Sequence, residues 1–222
     1  MGSKSARTRV ASRFQQPVHA PLNIARCTVN RWGLKKIAIY GGTFDPVHHA
    51  HLILAREAIE TLGLEKVILV PAAASPLKKA APAASGEVRL AMLQAAIKGE
   101  RAFEVDECEL LRRPPSYTID TVAEIRRRER HATLYCLIGE DNVEQLPQWH
   151  RFTELEKVVR FVVLDRTGKQ PAHSYQLIHR RIDISATEIR CRVAQNESIR
   201  YLVPESVEEI IQREKLYREH SK

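Results

Sequence analysis

Two histidines three residues apart are the first sign of chemistry in the sequence. His48 and His51 lie in GGTFDPVHHAHL, residues 41–52, directly after a short apolar run. A spacing of three places both imidazoles on one face of a helix's first turn. Glycines let backbone N–H groups approach a ligand, and a helix N-terminus presents unpaired N–H groups and the positive end of its dipole. The segment therefore predicts a phosphate site.

Other interpretations of this segment are weaker. The histidines could simply cap the helix or pack, or they could bind zinc. The HxxH spacing lacks the acid of HExxH and has no adjacent thiol, which disfavours zinc. Neither the GxxxxGK[ST] phosphate loop nor the GxGxxG dinucleotide fingerprint is present.

A second polar cluster lies in ISATEIR, residues 184–190. Ser185 followed three residues later by Glu188 predicts a capping box, which is the structural interpretation. Thr187 and Arg190 lie one turn apart beside the same helix N-terminus. Hydroxyl, amide and guanidinium groups together would bind a polyphosphate, and we favour that role.

Alternating strands and helices must position these residues. An apolar run ending in a glycine pair predicts a buried strand, and apolar residues at helical spacing before Gly63 predict a helix that Gly63 ends. Such βαβ units predict an α/β fold, a Rossmann-like doubly wound parallel sheet with helices on both faces in a single domain, with ligands at the carboxyl ends of the strands. The predicted strands are 37–40, 67–70, 133–138, 158–164 and a short one around Ile182; the predicted helices are 51–62, 86–98, 118–128, 185–194 and 204–217.

Composition and charge separate the chain into two parts. The 222 residues are 44% apolar, enough for one large core. The net charge of +8 arises within residues 1–36, which hold eight basic and no acidic side chains, so the remainder is neutral. We predict a basic, disordered N-terminal arm over residues 1–34 and a catalytic domain over residues 35–222. A neutral body disfavours nucleic acid as a partner.

The purpose of the arm is open between a targeting peptide, a basic tether and sequence upstream of the true start. No apolar stretch approaches the roughly 18 residues of a membrane span, so no membrane partner is expected. The four widely spaced cysteines form neither a zinc motif nor a dense disulfide framework, which indicates a reducing, cytoplasmic location. The sequence does not decide between a monomer and a homo-oligomer.

The segment GGTFDPVHHAHL resembles the HxGH signature of the nucleotidyltransferase superfamily, with Ala50 where glycine is usual, and ISATEIR resembles its ISxTxxR signature. GGTFDP is similar to the opening of the bacterial nicotinate-nucleotide adenylyltransferases. The resemblance covers residues 37–217. It also extends to PAAASPLKK, where Leu77 and Lys78 stand in the last two positions of a Pro-His-Lys motif.

The resemblance implies an ATP site. Lys78 would be a mobile cation that closes on the triphosphate, although an isolated loop lysine is more often simply solvated. Mg²⁺ would be bound through the ATP phosphates, with no protein metal ligand. The implied catalytic residues are His48, His51, Lys78 and Arg190, and the implied ATP-binding residues are these four with Gly41, Gly42, Thr43, Phe44, Ser185 and Thr187.

The segment RPPSYTIDT, residues 113–121, predicts a site for a small carboxylate, because Ser116 or Thr118 would cap a helix whose amides are available. The resemblance places Tyr117 and Thr118 at a nicotinate group. It also places Asp141 at ribose hydroxyls and Trp149 on the pyridine ring. A helix cap and a core tryptophan are the alternatives for these last two.

The implied reaction joins ATP and nicotinic acid mononucleotide to give deamido-NAD and pyrophosphate, a step of NAD biosynthesis. The attacking phosphate is already ionised at neutral pH, so positioning and positive charge suffice and no general base is needed. The alternatives are transfer to nicotinamide mononucleotide, phosphopantetheine or another phosphate acceptor, CMP transfer, and a nucleic-acid-binding protein with a vestigial enzyme core.

Overall fold

The computed structural model describes residues 34–73, 81–168 and 173–218. The predicted N-terminal arm, except for its last residue Leu34, lies outside the described residues, and so does Lys78. In the described part of the chain, no helix combines the length and the apolar character needed to cross a bilayer.

A parallel sheet forms the centre of the fold. Within the described residues it has six strands in the order β3-β2-β1-β4-β5-β6, with every neighbouring pair parallel. This is the order of two βαβ halves that meet at β1 and β4. The Rossmann-like α/β prediction is confirmed. The strands are β1 Lys35–Gly42, β2 Lys66–Pro71, β3 Phe103–Val105, β4 Ala132–Gly139, β5 Arg160–Asp165 and β6 Gln176–His179.

Helices cover both faces of the sheet. Helix α1 is ended as predicted, since Gly63 adopts φ 62° and its N–H donates to the carbonyl of Ile59. The helices are α1 His49–Leu62, α2 Gly86–Ala96, α3 Cys108–Leu111, α4 Thr118–Arg128, α5 Phe152–Val158, α6 Ala186–Ala194 and α7 Glu205–Arg213, with a 3₁₀ segment at Glu140–Gln148.

Two apolar layers hold the sheet between the helices. Alternate residues of β1 enter different layers, with Ala38 in the first and Ile37 in the second. The first layer includes Leu54 of α1 and Val207 of α7, and the second includes Val122 of α4, all at most 1% exposed. Full burial of one such side chain stabilises the fold by about 1.5–3 kcal/mol. The layers leave the carboxyl ends of the strands uncovered for function.

Several predicted elements differ from the observed ones. The last strand is Gln176–His179, and Ile182 lies after it, with its N–H bonded to the carbonyl of Arg166. Val158 ends α5 instead of beginning a strand, and α7 ends at Arg213 because the backbone beyond it becomes left-handed.

Candidate active site

Two adjoining cavities lie where the order of the strands reverses, at the carboxyl ends of β1 and β4. The larger has a volume of about 840 Å³ and the smaller about 390 Å³. Both are lined by Gly41 and Gly42, which end β1, and by Thr43, which follows it. A crevice at this position is where open α/β sheets bind ligands.

The larger cavity contains both histidines of the first motif. His48 is the N-cap of α1 and His51 its third residue, and their rings stack with centroids 3.7 Å apart. The backbone N–H of His48 donates to Nδ1 of His51 over 3.3 Å. A ring nitrogen that accepts carries no proton, so the neutral imidazole of His51 bears its proton on Nε2 and can donate there.

His48 is also neutral at physiological pH. Burial lowers the pKa of His48 to about 3, with further lowering by the charges of Arg166 and His49. Its side chain is 1% exposed, and among the residues that the structure describes its Nδ1 has no hydrogen-bond partner. A buried polar atom without a partner is costly. A ligand oxygen or hydroxyl in the cavity would satisfy it.

The second motif faces the same cavity from α6. Ser185 is the N-cap, and its hydroxyl accepts from the N–H of Glu188 at 3.1 Å, so the predicted cap is confirmed. Arg190 donates to the hydroxyl of Thr187 at 3.2 Å and to the carbonyl of Asp45 at 2.7 Å. The guanidinium is thus held against the loop that carries the histidines.

The glycine pair has two different roles. A Cβ added to Gly42 would lie 2.9 Å from the ring of Phe44, so this glycine allows the ring to pack against the loop. A Cβ at Gly41 would have no protein atom within 4 Å. Because Gly41 lines both cavities, the space above it is available to a ligand.

The smaller cavity collects most of the predicted acceptor site. It is lined by Ser116, Tyr117, Thr118 and Trp149. The ring of Trp149 also packs edge-on against Phe161, with centroids 6.2 Å apart. The tryptophan therefore contributes to the core while one part of it faces the cavity.

The predicted cap of α4 is wrong. The N-cap is Tyr117, which makes no side-chain hydrogen bond to the helix, and the Ser116 hydroxyl instead accepts from Arg112 at 2.8 Å. The first N–H groups of α4 are thus not taken by a capping side chain. They lie beside the cavity, where an anion would be stabilised by them and by the helix dipole.

Asp141 does not join the other acceptor residues. It lies in the 3₁₀ segment and lines the larger cavity, with its carboxylate accepting from the Asn142 amide at 3.1 Å. The helix-cap alternative for Asp141 is wrong, because the N-cap of the segment is Gly139. Asn142, the next residue, lines both cavities.

Known proteins match this chain over most of its length. Residues 39–192 match the cytidylyltransferase-like family. A Methylacidiphilum infernorum protein named "Probable nicotinate-nucleotide adenylyltransferase" is 40% identical over 187 residues, covering 82% of this chain and 92% of the relative. One from Opitutus terrae with the same name is 41% identical over 191 residues, covering 82% and 98%.

The chain belongs to the nicotinate-nucleotide adenylyltransferase family. The family resemblance of the sequence is confirmed, and with it a nucleotidyltransferase assignment. The fold has a solved counterpart in the Plasmodium falciparum nicotinic acid mononucleotide adenylyltransferase complexed with NaAD, with a TM-score of 0.67 at 19% identity, covering 82% of this chain and 97% of that one. At that identity the likeness concerns the fold.

Sequence reasoning missed a cationic residue of the larger cavity, Arg166. Arg166 follows β5, lines the larger cavity and donates to the carbonyl of Ile184 at 2.7 Å. Its position directly after a predicted strand was a usable indication, because ligands gather at the carboxyl ends of strands.

A second missed residue, Glu109, lines the smaller cavity. It accepts from the Thr121 hydroxyl at 2.8 Å, and burial raises its pKa. Arg112 donates to both Thr121 and Ser116, so one network fixes the wall of the acceptor cavity. Glu109 lies in the short helix α3, which no sequence periodicity indicated.

Proposed function

We propose that the protein transfers the adenylyl group of ATP to nicotinic acid mononucleotide, giving deamido-NAD and pyrophosphate. The larger cavity takes ATP and the smaller takes the mononucleotide. The observation that carries the proposal is the shared boundary at Gly41–Thr43, because it lets a phosphate in one cavity reach a phosphate in the other.

The reaction needs little covalent chemistry from the protein. An oxygen of the mononucleotide phosphate attacks the α-phosphorus of ATP, a new P–O bond forms, and the bond to the pyrophosphate oxygen breaks. The attacking oxygen is already ionised, so no general base is required. Catalysis then depends on alignment and on stabilisation of charge in the transition state.

The groups that supply this stabilisation surround the larger cavity. His51 donates from Nε2 as a neutral imidazole, and Arg190 and Arg166 provide fixed positive charge. We assign His48 to the same phosphates, with its unpartnered Nδ1 as the contact atom. Lys78 remains a prediction because it lies outside the described residues.

Mg²⁺ is proposed to enter with ATP. Among the described residues, no three His, Cys, Asp or Glu side chains are grouped so that they could hold a metal ion. The phosphate oxygens of ATP are the hard ligands that Mg²⁺ prefers, and the donors and cations facing the larger cavity suit those phosphates. When bound, the ion neutralises part of the triphosphate charge.

Acceptor choice follows from the N-terminus of α4. Its N–H groups would donate to the carboxylate of nicotinate in charge-assisted bonds. The NH₂ group of nicotinamide would face the N–H groups of α4, and since both are donors, neither would have an acceptor. Unpaired polar groups are costly in a buried site. We assign Tyr117 and Thr118 to this contact and Trp149 to the pyridine ring. Asp141 lines the larger cavity, and we assign its carboxylate to ribose hydroxyls.

A substrate panel tests the function. Pyrophosphate release is measured with ATP and, in separate reactions, nicotinic acid mononucleotide, nicotinamide mononucleotide and phosphopantetheine, with CTP replacing ATP as a control. The proposal requires release with the nicotinate acceptor and a kcat/KM at least about a hundredfold above that with the nicotinamide acceptor. Equal values, or release only with another acceptor, contradict it.

We further propose a cytoplasmic location. Cys108 and Cys136 are buried free thiols and Cys191 is an exposed one, which suits a reducing compartment. Fractionation of cells that produce the tagged full chain tests this assignment.

A further inference from the structure

A single buried carboxylate connects several segments around the ATP cavity. Asp45 lies between β1 and α1 and is 4% exposed. Its side chain accepts from the N–H groups of Ala83 at 2.6 Å and Ala84 at 3.3 Å, and from the hydroxyl of Tyr217 at 2.6 Å. The main-chain carbonyl of the same residue accepts from Arg190.

Tyr217 reaches this carboxylate from the chain beyond α7, 172 positions away in sequence. Lys215 and Tyr217 both have positive φ, 51° and 59°, which is unfavourable for residues other than glycine. Such a backbone persists where surrounding contacts hold it. Burial and the bond to Asp45 raise the pKa of Tyr217 far above its usual range, so the hydroxyl stays protonated and donates.

Tyr217 does not line either cavity, whereas Asp45 and Ala83 line the larger one. The hydroxyl can therefore influence bound phosphates only through its partner. Asp45 stands three residues before His48, and its carbonyl holds Arg190. The side-chain bonds of Asp45 to Ala83, Ala84 and Tyr217 thus anchor the same backbone segment that holds Arg190 and leads to His48.

We propose that Tyr217 is a positioning residue for adenylyl transfer, which acts by fixing the Asp45 carboxylate and thereby the placement of His48 and Arg190. The inference rests on the proposed function. A misplacement of about 1 Å at a reacting centre can cost on the order of a hundredfold in rate, so a change outside the cavity can be visible in turnover.

The test compares Tyr217→Phe with Tyr201→Phe, which removes a hydroxyl from a tyrosine that is 78% exposed. Both are assayed with ATP and nicotinic acid mononucleotide, well below their melting temperatures. We expect Tyr217→Phe to lower kcat about tenfold with less than about a threefold change in the KM for ATP, and Tyr201→Phe to match the unmodified protein. A kcat within twofold of the unmodified protein, or a Tyr217→Phe chain that is unfolded at every assay temperature, overturns the proposal.

A double-mutant cycle tests the route through Asp45. In an Asp45→Asn background, Tyr217→Phe should cause less than about a twofold further loss of kcat, and additive losses would contradict the route. Hydrogen exchange of a peptide containing Ala83 and Ala84 needs no turnover. Tyr217→Phe should speed the exchange of this peptide, and unchanged exchange overturns the positioning role. This readout does not depend on which acceptor the protein uses.

Discussion

Replacing His51 by alanine removes one donor from the larger cavity, the proposed ATP site, without changing any residue of the sheet. The lost group is the Nε2–H, whose protonation is fixed by the hydrogen bond that Nδ1 accepts from the backbone of His48. Loss of one preorganised donor to a transition-state oxygen typically costs about 10² to 10³ in kcat, or about 2.7–4 kcal/mol. We expect a fall of that size, with a smaller change in the KM for ATP because the donor acts mainly in the transition state.

The same substitution also removes a helix cap, since His51 accepts from the backbone N–H that precedes α1. Loss of a cap destabilises a protein by about 0.5–2 kcal/mol. The melting temperature must therefore be measured with kcat, and both assays are run where the variant is fully folded. Stability and turnover are then separable.

His49→Ala is the matched control, because His49 lies between the two stacked histidines in sequence and lines neither cavity. Initial rates of pyrophosphate release at saturating mononucleotide give kcat and the KM for ATP. Near-normal kcat in folded His51→Ala would refute the donor role. A rate that zinc chelation abolishes and Mg²⁺ does not restore would favour the zinc interpretation.

Three further predictions follow from charge, stacking and truncation. The pKa of His48 is about 3 in the folded protein and near 6.5 in the unfolded chain, so between these pH values the folded state binds fewer protons. The free energy of unfolding should therefore fall as the pH drops from about 6.5 to 3. Urea titrations should show a smaller fall in His48→Gln. Trp149→Ala should raise the KM for nicotinate and nicotinamide mononucleotides alike without reversing the preference, measured by kcat/KM for each; a reversed preference contradicts the stacking role. Deletion of residues 2–34 should leave the melting temperature and kcat/KM almost unchanged; a collapse of either would make the arm part of the folded protein.

The sequence predicted the sheet and the cap of α6 because their patterns are local. A buried parallel strand is a continuous apolar run, and Ser185 caps α6 by accepting from the N–H of Glu188, three residues away. Gly63 ends α1 for an equally local reason, the left-handed backbone that glycine adopts at little cost. Features of this kind depend on a few neighbouring residues and not on tertiary contacts, so they can be predicted from the sequence.

Long-range features were not predictable from these patterns. Nothing within residues 213–218 indicates that Tyr217 bonds to Asp45, because the contact depends on how α7 packs. Glu109 lines the smaller cavity and accepts from Thr121 of α4, a contact between two elements that no local pattern indicates. The strand at 176–179 was misplaced because it is only four residues long, too short for an apolar run to separate it from Ile182.

The shared boundary at Gly41–Thr43 separates two walls that are built from different parts of the chain. Helices α1 and α6 supply donors to the larger cavity, the proposed ATP site, whereas residues 109–121 and 145–150 line the smaller one, the proposed acceptor site. Under the proposed function, acceptor preference is therefore set separately from ATP binding. Substitutions confined to residues 109–121 and 145–150 could therefore change which phosphorylated acceptor binds, while the residues proposed to bind ATP stay the same.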